Sequence, residues 1–371
     1  MDPQTVFCPN TRCLASGQIG KGNIHVHSHQ EQRYRCDVCG KTFAATTGTP
    51  FYRAHKPPEE VVRVVTLLAY GCPPQAIVHA FGWDERTVSR YEQAGGQHCE
   101  EVHDHLVAQP RDLVQVQADE IRVKVQGMIV WLAMALQVNT RLWLGGVISP
   151  HRDTALVQGL MNLVRRAALC RPLLICVDGF RGYVNAIRRA FREPIRTGKP
   201  GRPRLRPWDH VYIAQVVKRY AGRRVCGIEQ RIVQGPLAQI RALIHRSQGR
   251  GTINTAYIER LNATFRARIA ALVRRGRALG RQLPTLHASV YLMGTVYNFC
   301  TYHHSLRIEL TLPHHQRRWL RRTPAIAAGI TDHLWTVKEL LWYKVPKPPD
   351  LPKRRGRPSK AWLALREQWA V

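Results

Sequence analysis

Carboxylates are the scarce component of this sequence. Its 371 residues hold 25 Asp and Glu against 56 Lys and Arg, a formal net charge of +31 and a pI near 10.6. That imbalance argues against cationic partners and for long-range attraction to nucleic acid or to an anionic membrane surface. Charge that merely keeps the chain in solution is the plainer alternative. Long apolar runs are missing too: the longest, Met128 to Leu136, is too short to cross a bilayer. No signal-peptide pattern opens the sequence, so an intracellular protein without membrane attachment is expected. Cysteine is too sparse for a secreted disulfide framework in a chain of this length. Four of the ten form two close pairs near the N-terminus, and Cys72, Cys99, Cys170, Cys176, Cys226 and Cys300 are scattered. Cysteines in apolar surroundings, such as Cys176 in LLICVD, behave as small core residues. A reducing cytoplasm and one metal site are the expectation.

Residues 1–55 have little apolar content and no means of building a conventional core. Cys8 and Cys13 flank four residues, and Cys36 and Cys39 flank two within YRCDVCGKTF. Two short knuckles separated by a strand-like stretch suit tetrahedral thiolate coordination, so a zinc ribbon with one structural Zn2+ is expected, the metal supplying most of the folding free energy. His25, His27 and His29 alternate in NIHVHSHQ, either as further ligands or as a solvated, DNA-facing strand edge.

Residues 56–108 read as three helices. Val61, Val62, Val65, Leu68 and Ala69 have helical spacing before Gly71, and Pro73-Pro74 opens a second helix ending at Gly82. Asp84 is placed to cap a third helix. The pattern is that of a helix-turn-helix, with Val88 and Tyr91 inward and Arg86, Thr87, Ser89 and Arg90 offered to a major groove. A small packing unit of three helices is the alternative.

From 109 to 345 the pattern is α/β. Val114, Val116 and Ala118 alternate with Gln115, Gln117 and Asp119, and beyond Glu120 the apolar phase flips, which predicts a bulge or bend. A hairpin (Ile129–Val138, Leu142–Ile148) and a helix near 153–168 follow. Leu173–Val177 is a continuous apolar run, as in a strand buried on both faces, with Asp178 directly after it. A helix through Tyr183–Phe191 precedes a basic Pro/Gly stretch at 198–208, and Arg224–Val233 reads as a strand. A later helix carries Glu259, with Asn262 and Arg266 on the same face. The region 346–371 is a basic, Pro-rich tail, expected to be disordered when free.

Asp119, Asp178 and Glu259 therefore stand at the ends of two strands and on a helix. In that order they match the RNase H-like fold, here expected as a mixed five-stranded sheet with helices, preceded by the zinc ribbon and the helix-turn-helix. Such a trio can hold two divalent ions for in-line attack on phosphate, the chemistry of a DNA-cutting and DNA-joining enzyme. Glu120 is a rival ligand beside Asp119, expected to point away from it on an extended backbone, and Glu229 a weaker rival for the third position. Gly-Arg-Pro at 201–203 and 356–358, with Arg202 and Arg357, resembles AT-hooks, whose arginine lies in a narrow minor groove; a solvated linker is the alternative.

The chain resembles the DDE transposases of the insertion sequence one family. The resemblance is carried by CPNTRC, YRCDVCGKTF followed by TTGTPFYR, QADE, VDGF, NTAYIERLNATFR, NFCTYHHSLR and RTPAIAAGITDHLWTVKELL, across most of residues 7–345. It implies a prokaryotic, nucleoid-associated protein whose N-terminal domains bind terminal inverted repeats of double-stranded DNA. It also implies strand cleavage and transfer into target DNA by Asp119, Asp178 and Glu259 with two Mg2+ (Mn2+ as a substitute), by a homo-oligomer assembled on DNA. Asn262 and Arg266 would orient a phosphate beside the metals. A catalytically inactive, transposase-derived DNA-binding regulator is the alternative from another class, and a general nuclease of the same fold would not need the two N-terminal modules.

Overall fold

The computed structural model describes residues 2–195, 202–222, 224–273, 280, 282–311, 317–350, 359–360 and 364. The chain divides into two compact units, Met1–Pro58 with Trp342–Val371, and Glu59–Leu341. Among the described residues no helix is long and apolar enough to cross a membrane.

In the first unit, β1 (Ile24–Ser28), β2 (Arg33–Cys36) and β3 (Thr42–Ala44) pair antiparallel. Strand alternation sends Ile24, Tyr34 and Phe43 to one side, where they join Val6, Cys8, Cys13 and Cys36 in a small core. The C-terminal segment closes on the same unit. Trp342 packs on Phe51 with ring centroids 4.7 Å apart, and the Ser16 hydroxyl donates to the Lys347 carbonyl at 2.9 Å. The Asp350 N–H donates to the Thr11 carbonyl at 2.6 Å. The tail thus begins as a strap pinned to the Cys-rich segment. Arg357 and its Gly-Arg-Pro lie outside the described residues.

In the second unit, α1 (Pro58–Ala69), α2 (Pro74–Phe81) and α3 (Glu85–Leu106) follow the spacing read from the sequence. The Asp84 side chain accepts the N–H groups of Arg86 and Thr87, and Gly82 ends α2 in the left-handed conformation. Val88 and Tyr91 are buried. The main sheet has six strands: β4 (Gln115–Val125), β5 (Met128–Gln137), β6 (Trp143–Ser149), β7 (Leu173–Asp178), β10 (Val211–Ala221) and β11 (Arg224–Gln234). Their order is β11-β10-β7-β4-β5-β6, with β7 parallel to both β4 and β10 and the other pairs antiparallel. A two-stranded ribbon, β8 (Arg192–Ile195) with β9 (Arg204–Pro207), interrupts it.

The expected five strands are thus six, and the one missing from the sequence reading is β10. Its first half, VYIAQV, is buried between two neighbours, whereas its second half, KRYA, stands exposed, so neither strict alternation nor one apolar run marks it. The expected bulge in β4 is absent as well: pairing with β5 runs without a break from Val116↔Gln137 to Val125↔Met128. The apolar phase flips because cover changes. The first half of β4 is buried on both faces, whereas beyond Glu120 only the face with Ile121, Val123 and Val125 is packed, leaving Arg122 and Lys124 exposed.

Helix α4 (Thr154–Ala167) covers one face of the sheet at β5 and β6, and α5 (Gly182–Ala190) packs against α4. The other face is covered by α6 (Leu237–Gln248), α7 (Ala256–Arg268) and α8 (Leu283–Phe299). The long α3 packs along α8 at close range, since a Cβ on Gly96 would lie 2.3 Å from the Ala288 carbonyl oxygen. Polar ties run the length of that seam: Ser289 to Glu92 at 2.6 Å, Gln93 to Thr285 at 2.9 Å and His287 to Glu100 at 2.9 Å. The three-helix segment and the sheet accordingly share one compact unit.

Candidate active site and metal centre

The first unit gathers Cys8, Cys13, Cys36 and Cys39 so that their sulfurs all lie within 4.8 Å of one another. Cys8 and Cys39 approach to 3.7 Å and Cys13 and Cys36 to 3.9 Å. The knuckle turns bring each pair together, and the sheet brings pair to pair. Burial pushes the Cys8 and Cys13 thiols up. Burial opposes ionisation of Cys39 too, yet the Lys41 N–H, the Asn10 side chain and the neighbouring thiols bring it down to about 7. Four such sulfurs form the donor set of a structural zinc site. His25, His27 and His29 are exposed and stand outside that set, with His25 Nε2 2.6 Å from Asp37.

The second unit gathers acids. β4 and β7 run parallel, and their last pairing step is Gln117↔Cys176. Asp119 and Asp178 each follow that step by two residues, so they emerge side by side. Glu120 joins them: carboxylate oxygens of Asp119, Glu120 and Asp178 lie within 4.8 Å of one another. This corrects the expectation that Glu120 points away. Strand alternation does send the two side chains to opposite faces, but the Asp119 carboxyl folds back onto the Glu120 N–H and stays beside the backbone. Burial first, then the charges of Glu120, Asp178 and Glu259, push the Asp119 carboxyl up to about 6. Burial and the Asp178 charge raise Glu120 as well, with Tyr183 and Arg152 acting against them.

Helix α7 is seated on this cluster by Gln117, a buried strand residue whose Oε1 accepts the Tyr257 and Ile258 N–H groups at 3.0 Å each. Its Nε2 donates to the Asn254 carbonyl at 2.8 Å. That seat sets the register of the helix, and Asn262 Nδ2 then reaches Asp119 Oδ2 at 2.8 Å. Glu259, one turn earlier, is exposed and accepts from Lys218 Nζ at 2.9 Å and from Thr255 Oγ1 at 3.3 Å. It stands outside the 4.8 Å acidic group, although Asp119 feels its charge. Arg266, one turn beyond Asn262, is half-buried. Glu229 lies on β11 between Arg219 at 2.8 Å and Arg231 at 3.2 Å, apart from the cluster.

Arg152, in the turn between β6 and α4, reaches into the acids. Its Nη2 lies 2.9 Å from Glu120 Oε2 and 3.1 Å from Asp178 Oδ2, and its Nε 3.2 Å from the same Glu120 oxygen. Sequence reasoning missed Arg152, Lys218, Tyr183 and Gln117. Only Gln117 carried a signal, a polar residue on the alternation that also bears Asp119. On α3, Arg86 and Arg90 are exposed and Thr87 and Ser89 half-exposed; Arg202 is exposed beside β9.

No protein-family model matches the chain, and no curated protein matches it. Fit to a divalent ion rests on the acids themselves: three carboxylates crowded until the Asp119 carboxyl is pushed up to about 6 form the hard-oxygen donor set that Mg2+ or Mn2+ takes.

Proposed function

We propose that this chain is a DNA transposase, built on an RNase H-like fold, that binds terminal inverted repeats and carries out metal-dependent strand cleavage and strand transfer. The observation that carries the reading is the pair Asp119 and Asp178, each two residues past the same step of adjacent parallel strands, beneath the helix bearing Glu259 and Asn262. Divalent ions bound there, two Mg2+ or Mn2+ in their place, supply Lewis acidity toward the attacking hydroxyl and the scissile phosphate.

The rest falls to the chain. Asp119 and Asp178 present oxygens on one side of the reacting phosphate, and Asn262 fixes the Asp119 carboxylate through its amide. Glu259 closes the site from α7, or Glu120 does so from β4. Glu120 is favoured by its place within the acidic group, and Glu259 by its open position and its exposed tie to Lys218. Gln117 keeps helix and strands in register. Arg86, Thr87, Ser89 and Arg90 read the repeat in a major groove, Arg202 and Arg357 add minor-groove or backbone contacts, and one Zn2+ on the cysteines stabilises the N-terminal module.

The test is cleavage of a labelled terminal-repeat duplex by the full chain with Mg2+ or Mn2+. Asp119→Asn and Asp178→Asn should each abolish nicking with repeat binding retained, because an amide keeps the shape and loses the charge. Comparing Glu259→Gln with Glu120→Gln identifies the third ligand. Full activity in either aspartate variant overturns the site. A wild-type chain that binds the repeats and never cuts is a DNA-binding regulator instead.

A further inference from the structure

We propose that Arg152 is a positioning residue that guards the acidic site: its guanidinium holds one oxygen each of Glu120 and Asp178, and a divalent cation drawn to the acidic group binds only by displacing it. The inference rests on the metal-binding reading of the acids but concerns a residue that reading does not use.

The geometry is specific. Nη2 bridges Glu120 Oε2 at 2.9 Å and Asp178 Oδ2 at 3.1 Å, so one nitrogen engages an oxygen of each acid. The other Asp178 oxygen, Oδ1, accepts the Phe180 N–H at 2.9 Å. Asp119 Oδ2 is engaged by Asn262 at 2.8 Å. The guanidinium is steadied by two rings, its central carbon 4.8 Å from the Phe180 centroid and 5.3 Å from the Trp131 centroid. Like-charged carboxylates this close repel, and a cation must offset that repulsion; Arg152 does so with a planar fork.

Displacement is feasible because the side chain keeps 35% of its surface in solvent, while Asp153 next to it caps α4 and holds the backbone still. The guanidinium can therefore swing outward without moving the strand or helix. Once released, it stands beside the entrance to the acids with its donors free for a phosphate oxygen of the nucleic acid. Cation and guanidinium exchange places on the same oxygens, so each weakens the other's hold.

A residue that merely braces the acids and one that competes for them predict opposite signs. Mn2+ is titrated into the zinc-loaded full chain without DNA, and the free-ion electron paramagnetic resonance signal reports binding. Arg152→Gln and Arg152→Met should both bind Mn2+ roughly tenfold more tightly than wild type, about the equilibrium worth of one charge-assisted hydrogen bond. The methionine variant keeps apolar bulk against Trp131 and Phe180 in case glutamine disturbs folding. Unchanged or weaker Mn2+ binding in both variants overturns the inference. In the wild type itself, saturating Mg2+ should shift tryptophan emission as the guanidinium leaves Trp131, a change missing from Trp131→Phe; no such difference also counts against displacement. Mn2+ binding that Asp178→Asn leaves unaltered removes the acidic-site reading, and so is told apart from failure of the Arg152 exchange alone.

Discussion

At pH 7 Asp119 is ionised against its surroundings. Burial and three acidic neighbours have raised its pKa to about 6, above that of a free aspartate. The folded chain therefore binds more protons than the unfolded chain between the two values, so stability falls as pH rises through that window and the penalty is complete above about pH 6. Asp119→Asn removes the charge while its amide oxygen can still accept from Asn262. In buffer without added divalent ions the variant should be more stable than wild type at pH 7.5, by up to about 3 kcal/mol. The gain should vanish below about pH 4. Urea denaturation at both pH values reads this directly; a variant less stable at pH 7.5 would mean that Asp119 is not strained. The sequence singled out Asp119 and Asp178 because carboxylates are rare in this chain; Asp178 does end β7, but Asp119 lies inside β4 and not at the strand end expected, since the strand continues past it to Val125. It did not show that Glu120 belongs with them, since strand alternation alone argues the reverse.

At the scale of elements, the seam between α3 and α8 is the most demanding contact. Gly96→Ala would press a methyl group into the Ala288 backbone, which cannot rotate away as a side chain can. A loss of about 3 kcal/mol is expected, the upper range for overpacking, visible as a lower thermal midpoint of the Glu59–Leu341 unit. Wild-type stability in this variant would show that the two helices part readily. The helices α1, α2 and α3 were legible from local signals: apolar spacing, the Asp84 cap and the glycine stop. How far α3 extends past Tyr91 was not, because its second half depends on α8, far away in the chain. In the first unit, Cys36→Ser should lose about one zinc per chain together with native structure in residues 1–55, since four sulfurs and few apolar side chains hold that segment together. Metal analysis alongside limited proteolysis checks it; full zinc content in the variant would remove the site.

For the whole molecule, the proposed DNA binding should depend strongly on salt, given the net charge of +31. Replacing Arg357 by alanine should weaken binding to all DNA alike and reduce the salt slope by about one unit for each phosphate that is no longer neutralised. Replacing Arg86 and Arg90 should instead erase the preference for terminal repeats over random duplex. Fluorescence anisotropy over a salt series separates the two effects, and equal loss of preference in both variants would dissolve the division between reading helix and tail.

Short-range chemistry specified two cysteine knuckles, three short helical stretches with one Asp84 cap, a β-rich centre and a few acids in or beside its strands. These features lie in residue type and spacing along short stretches of chain. Tertiary structure decided what depends on pairing between distant segments. β10 becomes a strand because β7 and β11 receive it, Gln117 seats α7, Glu120 enters the acidic group, and Arg152 arrives there from another turn. None of these carries a local mark, since each is fixed by a partner far away in the chain whose position only the folded backbone supplies.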